Sequence, residues 1–367
     1  MSWSPQQDRA LKAVGTWLKD EHGPQVFYLA GFAGTGKTTL AKEMAQNVSG
    51  PVLYGAFTGK AALVLRRNGC FGASTIHSMI YMPRRRKGGI TEWILDPDGE
   101  VRDAALVIID ECSMVGEDLG RDLLSYGKKV LVLGDPAQLP PVGGDGFFTR
   151  RRPDVMLTEV HRQAQDNPII RMTMDVREGK ELQHGTYGAS KVIRRGQVDQ
   201  AEVLASEQVL VGINRSRRLY NQRIRELRGF TGAMPQAGER LVCLRNRHSK
   251  GLLNGGLCNV LDVISSDEAA VEMIVDPADA GDVKQPTEIS VHPKFFLGRD
   301  KELTYAELKH SDQFDFGYAL TVHKSQGSQW NTVYLFDESG SFRDDRAKWL
   351  YTGLTRAAEA VTVVRAA

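Results

Sequence analysis

Long apolar runs are missing from this chain of 367 residues, and none approaches the ~18 apolar residues that a bilayer-spanning helix needs. The amino terminus, Met1-Ser2-Trp3-Ser4-Pro5-Gln6-Gln7-Asp8, also lacks the apolar core of a secretory signal. Cysteine is scarce: Cys70, Cys112, Cys243 and Cys258 lie far apart, without the paired spacing of a zinc site or a disulfide framework. Reduced thiols in a cytoplasmic protein, with no membrane partner, are the expectation. Charge of one sign is lacking too. With 47 basic and 45 acidic residues the net charge is +2, so bulk electrostatics does not mark the chain as a polyanion binder. Two short basic runs, Arg84-Arg85-Arg86-Lys87 and Arg150-Arg151-Arg152, suit solvated surface as well as they suit a nucleic acid.

What is present is a recurring pattern of short apolar stretches: Val26–Ala30, Val52–Phe57, Leu106–Asp110 and Val130–Gly134. Unbroken runs of this length fit strands buried on both faces, as in a parallel sheet covered by helices. Helix-forming segments such as Thr38–Gln46 and Lys60–Arg67 alternate with them, so an α/β doubly wound domain is expected over residues 1–155. A second α/β domain is expected over 156–367, with Gln208–Ile213, Thr332–Phe336 and Ala360–Val364 as strands. Two insertions interrupt the alternation. Tyr81–Arg102, with Gly88-Gly89, Trp93 and Pro97-Asp98-Gly99, suits a β-hairpin outside the sheet. Short alternating segments between about residues 238 and 310 (Arg240–Leu244, Cys258–Ile264, Ala270–Val275 and Glu288–Val291) suit a small β-barrel.

The strongest chemical signal is Gly31-Phe32-Ala33-Gly34-Thr35-Gly36-Lys37-Thr38, a phosphate-binding loop with an apolar strand before it and a helical segment, opening with Thr39, after it. Glycines let backbone N–H groups close around phosphate oxygens, and the helix N-terminus adds positive potential. Lys37 is placed to reach the β- and γ-phosphates of ATP, and Thr38 to ligate Mg²⁺. Leu106-Val107-Ile108-Ile109-Asp110-Glu111 is an apolar strand ending in two carboxylates. Asp110 would hold the Mg²⁺ shell, and Glu111 would orient and deprotonate the attacking water. These two elements point to a nucleotide hydrolase, a class that includes kinases, switches and transporters.

Further motifs then follow in order. Gly134-Asp135-Pro136-Ala137-Gln138-Leu139-Pro140-Pro141 resembles motif III of superfamily 1 helicases, Thr321-Val322-His323-Lys324-Ser325-Gln326-Gly327 resembles motif V, and Tyr351-Thr352-Gly353-Leu354-Thr355-Arg356-Ala357 resembles motif VI. The set is similar to the RecD-like branch of superfamily 1B DNA helicases, and the resemblance runs from Gln7 to Arg356. It implies two RecA-like domains with parallel sheets. The hairpin at 81–102 would be a strand-separating pin in the first, and a Src-homology-3-like barrel would be inserted in the second.

The resemblance also implies roles. Gln7 would read adenine, with Gln6 as the neighbouring register, and an amide can donate and accept together. Gly34, Thr35, Gly36, Lys37, Thr38 and Thr39 would hold the nucleotide. Gln138 would sense the γ-phosphate. Arg162, in Leu157-Thr158-Glu159-Val160-His161-Arg162, and Arg356 would act as arginine fingers. Thr58 and Lys60, in a motif Ia-like run, would contact single-stranded DNA together with Thr75 and His77 of a Thr-Ile-His element. His323, Lys324 and Ser325 would contact it from the second domain. Trp93 would stack at the fork of a tailed duplex, and its alternative is an inward-packed residue of a passive hairpin. The chain departs from the pattern at Gln329, where the superfamily often carries a ribose-binding glutamate; a glutamine can still bond a ribose hydroxyl. ATP-driven 5′-to-3′ translocation with unwinding, in the cytoplasm of a bacterial or phage-infected cell, is the implied activity. An RNA-directed helicase, a translocase that does not unwind, and a non-catalytic DNA-binding subunit remain as alternatives.

Overall fold

A computed structural model of the chain describes residues 3–85, 91–141, 144–159, 167–278 and 285–365. It divides into two compact units, Met1–Met174 and Asp175–Ala367.

The first unit is built on a six-stranded sheet in the order Ser74–Thr75, Val52–Ala56, Leu106–Asp110, Val130–Gly134, Val26–Gly31, Val155–Leu157, with every neighbouring pair parallel. Side chains alternate across a strand, so each apolar run serves two cores at once. Leu29, Leu106, Ile108 and Leu131 pack with Ala10, Val14, Leu40 and Met44 of the helices Pro5–Lys19 and Lys37–Gln46. Their chain neighbours Ala30, Val107, Ile109 and Val132 pack on the other face with Ile76, Ile80, Leu123 and Phe148. Each of the larger side chains contributes about 1.5–3 kcal/mol by leaving water. This unit extends beyond the boundary expected at 155, because Val155–Leu157 pairs with Val26–Gly31 as the sheet's edge strand.

Parallel pairing has a consequence for function, because all strand C-termini reach the same edge of the sheet. Ala30 pairs with Gly134, Ala56 with Asp110, and Ile109 with Val132. The phosphate loop after Gly31, the Asp110-Glu111 pair and the run from Gly134 therefore emerge side by side.

Within the segment expected to form a hairpin, and outside this sheet, Tyr81–Arg85 runs antiparallel to Thr91–Leu95. Arg86, Lys87 and Gly88-Gly89 lie outside the described residues. Pro97-Asp98-Gly99 follows the second strand and is not the turn between the strands. The base of the hairpin is fastened to the body: the Tyr81 hydroxyl donates to the Asp122 carboxylate, and the Tyr126 hydroxyl lies 3.1 Å from the Ile80 carbonyl and also bonds that of Asp96.

The second unit holds another six-stranded sheet, in the order Ala319–Thr321, Gln208–Val211, Trp330–Phe336, Ala357–Arg365, Ser190–Arg194, Gly185–Tyr187. Its pairs are parallel except the last, which is antiparallel. Between Gln208–Val211 and Ala319–Thr321 the chain makes a five-stranded antiparallel sheet in the order Thr287–Val291, Val271–Pro277, Leu257–Ser266, Arg240–Cys243, Phe314–Phe316. A bridge from Val291 to Asp312 joins its two edges, so the sheet curls on itself. One continuous core, including Val209, Tyr334, Leu241, Met273 and Phe314, underlies both sheets. The insertion therefore shares its interior with the parallel sheet.

A buried ion pair ties the insertion to the helix Asn214–Leu227. Arg225 Nε and Nη2 donate to Glu239 Oε1 and Oε2 at 2.6 and 2.8 Å, and Arg225 also donates to the carbonyls of Gly232 and Met234. Its guanidinium lies 4.0 Å from the Phe316 ring centroid. Glu239 is fully buried, so Glu239→Ala strands a buried cation. Urea unfolding of this variant is expected to show a loss of about 3–5 kcal/mol.

Candidate functional site

The phosphate loop forms because Gly34 and Gly36 take φ of 78° and 77°, a region L side chains rarely enter. Thr35, buried, donates from Oγ1 to the Phe32 carbonyl at 2.8 Å and closes the turn. The helix Lys37–Gln46 starts at once behind Gly36, aiming its free N–H groups into the loop. Lys37 Nζ lies 2.6 Å from the Gly31 carbonyl and 3.1 Å from that of Phe32, across the mouth of the loop.

Neighbouring strands complete the constellation. Thr38 Oγ1 donates to Asp110 Oδ2 at 3.0 Å, and Asp110 Oδ1 accepts from the Glu111 N–H at 2.9 Å. Glu111 has φ 54° and ψ 43°, one of two non-glycine residues with positive φ among those described. Behind it, Cys112 is fully buried; burial first, then Asp110 and Glu111, raise its thiol well above the ordinary range. Gly134 is required here, since a Cβ on it would come within 2.5 Å of Cys112 Sγ. Gln138, in the loop after that strand, has a buried Oε1 with no hydrogen-bond partner among the described residues. Tyr28, at the back of the same cluster, is a neighbour that no sequence signal marked; desolvation, Cys112 and Asp135 raise its phenol.

Mg²⁺ suits this donor set. A hydroxyl and a carboxylate converge within hydrogen-bond distance, hard oxygen donors of the kind the ion takes while keeping waters and phosphate oxygens. Among the described residues no cluster of three or more His, Cys, Asp or Glu could hold a metal.

Gln7 is buried and belongs to a capping box. Ser4 N donates to Gln7 Oε1 at 3.0 Å, and Gln7 Nε2 donates to the Thr35 carbonyl at 3.2 Å. The side chain thus touches the phosphate loop itself. Gln6 instead accepts from the N–H groups of Thr158 and Glu159, at 2.8 and 3.0 Å. Thr39 is exposed on the first helical turn.

Of the residues expected on a strand, some are surface groups and some are not. Thr58 and Thr75 are helix N-caps, accepting from Ala61 N at 3.1 Å and Ser78 N at 3.2 Å. Lys60 is only 5% exposed, and Ser325 is fully buried with its hydroxyl donating to the Val322 carbonyl at 2.7 Å. These two hold their side chains inside their units, against the expectation of surface contacts. His77 is exposed and packs between Tyr81 and Trp93, with centroids 4.6 and 4.9 Å away; desolvation lowers its pKa. Trp93 is half-exposed, so it is not packed inward. His323 lies 5.5 Å from Phe342, which stacks on Trp349, and burial lowers the His323 pKa as well. Lys324 is exposed, yet enough protein surrounds its ammonium that desolvation, and then Arg217, lower its pKa. Gln329 is exposed.

Arg356 is buried in the second unit. Nε donates to the Thr352 carbonyl, Nη1 to the Ser328 carbonyl and Nη2 to Thr355 Oγ1, each at 3.1 Å. No carboxylate pairs with it among the described residues. Arg162 lies outside the described residues. Arg150 and Arg151 are engaged by Glu117 and Asp154, so that basic run serves the fold.

A phosphate loop, a carboxylate strand end and a polar third loop at one edge of a parallel sheet define a P-loop nucleotide-binding domain, here joined to a second α/β unit. The chain belongs to the AAA domain family, whose model matches residues 2–202, and residues 316–364 match the UvrD-like helicase C-terminal domain. It is similar to the ATP-dependent RecD2 DNA helicase of Deinococcus radiodurans, at 29% identity over 91% of this chain and 46% of the relative. It is also similar to the ATP-dependent DNA helicase Pif1 of Bdellovibrio bacteriovorus, at 26% identity over 90% of this chain and 81% of the relative. The crystal structure of a Bacteroides Pif1 helicase with ADP-AlF3 and ssDNA shares the fold at a TM-score of 0.58 and 17% identity, covering 99% of this chain and 92% of that one. The chain spans less than half the length of the RecD2 relative and about 30% of the conjugal transfer TraA proteins it also matches.

Proposed function

We propose that the chain is an ATP-dependent DNA helicase that translocates 5′-to-3′ on single-stranded DNA and unwinds a tailed duplex. The observation that carries the hydrolytic part is the 3.0 Å contact between Thr38 and Asp110 at the mouth of the phosphate loop. Thr38 and Asp110 would hold Mg²⁺, which supplies charge neutralisation at the β- and γ-phosphates when bound. Lys37 moves from the loop carbonyls onto phosphate oxygens, Glu111 takes the proton of the attacking water, and the orphaned Gln138 Oε1 orients that water. Gln7 lies at the loop through Thr35 and is the adenine reader; Gln329 bonds the ribose. Arg162 and Arg356 sense the γ-phosphate.

The strand-binding part rests on motif resemblance together with groups of fitting chemistry, namely the exposed His77 and Lys324 and the partly buried His323. Thr58 is partly exposed at the start of its helix, whereas Thr75 is buried and its hydroxyl caps the helix Ile76–Ile80. The hairpin is the pin that parts the duplex. The T-shaped contact of Trp93 with His77 supports this, since it joins the hairpin to the Thr-Ile-His element. The five-stranded insertion, bridged edge to edge, is a Src-homology-3-like barrel.

Duplexes carrying either a 5′ or a 3′ single-stranded tail test the proposal directly. ATP-dependent unwinding is expected from the 5′ tail alone. Unwinding only from a 3′ tail overturns the polarity. ATPase stimulation without unwinding of either duplex reduces the function to translocation, and stronger stimulation by RNA than by DNA reassigns the substrate.

A further inference from the structure

The second unit contains a cavity of about 680 Å³ that none of the helicase motifs accounts for. It lies between the helix Asn214–Leu227, the loop after it, and the short helix Pro293–Phe295 with the turn that follows in the antiparallel insertion. Its apolar wall is made by Phe230, Phe296 and Leu297, and Leu297 is 46% exposed although it adjoins the core. Arg225, tied to Glu239 and to the carbonyls of Gly232 and Met234, fixes the loop that forms one side. The volume is of the size that binds a small organic group.

One cation in the lining, Arg218, is unpaired among the described residues. Arg218 is exposed and makes no hydrogen bond or ion pair among the described residues, whereas its neighbour Arg217 is paired to Asp315 at 2.6 Å. The Arg218 guanidinium lies over Gly298, where φ is +67° and a Cβ would come within 2.9 Å of Arg218 Cζ. Glycine at 298 therefore leaves room for the arginine at the cavity. The charges of Arg218 and of the cavity-lining Asp315 both reach Lys324, which carries no ion pair among the described residues. The acidic lining residues are already engaged, Asp315 by Arg217 and Glu226 by Gln222 and Arg223. The lining therefore presents an apolar wall beside a guanidinium unpaired among the described residues, and the recognition chemistry is that of a nucleotide, an aromatic base joined to a phosphate.

We propose that this cavity holds one nucleotide of the bound single strand, with its phosphate on Arg218 and its base against Phe230, Phe296 and Leu297. This rests on the strand-binding function proposed above and extends the track from Lys324 onto the antiparallel insertion.

Fluorescence anisotropy of the full chain with a labelled oligothymidylate tests it, with thermal midpoints confirming that each variant is folded. Arg218→Ala is expected to weaken binding about tenfold, as for loss of one charge-assisted contact. The slope of log affinity against log salt should fall by about 0.7, the value for one phosphate on a single strand. Arg218→Lys should recover most of both effects. Leu297→Ala, at an exposed position, should weaken oligothymidylate but leave an abasic strand unaffected. Unchanged affinity and salt slope in Arg218→Ala, with the wild type binding normally, overturns the cavity assignment alone. A wild type that does not bind the strand overturns the strand-binding function and this assignment with it. Competition by free thymidine monophosphate at concentrations comparable to strand nucleotides, lost in Arg218→Ala, would mark a free-nucleotide site and also overturn it.

Discussion

Arg356→Ala is expected to lower DNA-stimulated ATP turnover by about 10³–10⁵-fold, the usual effect of losing an arginine finger. The expectation has a physical basis beyond motif resemblance. The guanidinium is held by two carbonyls and a hydroxyl, which are neutral acceptors, and no carboxylate pairs with it among the described residues. Its orientation is therefore fixed while its positive charge is left for an anion. A purely structural arginine in this setting would more often be matched with a buried acid, as Arg225 is with Glu239. Removing the side chain leaves acceptors unsatisfied and should also cost about 1–3 kcal/mol of stability. The two effects separate in Arg356→Lys, which keeps the charge but not the fork of donors. If turnover in both variants falls only in proportion to the folded fraction, Arg356 is a structural residue and the phosphate-sensing role is wrong.

Much of the scaffold could be read from residue pattern, and the reason is specific. Strands buried on both faces need apolar residues at every position, so Leu106–Asp110 and Val130–Gly134 stand out as unbroken runs with correct ends. The phosphate loop was equally legible, because its backbone geometry demands glycine at fixed positions and its chemistry demands Lys37 and Thr38. Side-chain orientation was not legible. Ser325 and Lys60 carry polar ends that suit a phosphate, yet the short turn at His323–Ser325 directs the serine hydroxyl to its own backbone, and Lys60 sits within a helix that packs inward. Thr58 and Thr75 serve their helices as caps, a role that depends on where a helix starts to within one residue. The domain boundary was misplaced for a related reason: Val155–Leu157 is only three residues long, too short to announce which sheet it joins. Arg218 could not have been found at all, since its distinction is the absence of a partner among the described residues in three dimensions.

Glu111→Gln should lower turnover by about 10²–10⁴-fold, as expected when a positioned general base is lost. The backbone offers a second, independent prediction at the same residue. A glutamate at φ 54° and ψ 43° sits in the left-handed region, which costs about 1–3 kcal/mol for a non-glycine residue and persists only where the surroundings impose it. Here the next residue, Cys112, is buried, and the Glu111 N–H is fixed by Asp110 Oδ1 at 2.9 Å, so the turn cannot relax without moving the Glu111 carboxylate. Gln has the same backbone preference as Glu, so Glu111→Gln should leave the thermal midpoint unchanged. Asn tolerates the left-handed region better. Glu111→Asn should therefore lose hydrolysis to the same degree while the midpoint rises by about 2–4 °C for each kcal/mol of strain released. Calorimetry and ATPase measurements on the pair read both effects. Hydrolysis by Glu111→Gln at the wild-type rate would remove Glu111 from the mechanism. Loss of hydrolysis in both variants with no rise in Glu111→Asn would keep the base but show that the turn stores no strain. The predicted outcome, in which the more stable variant is the inactive one, is what a strand end shaped for catalysis requires.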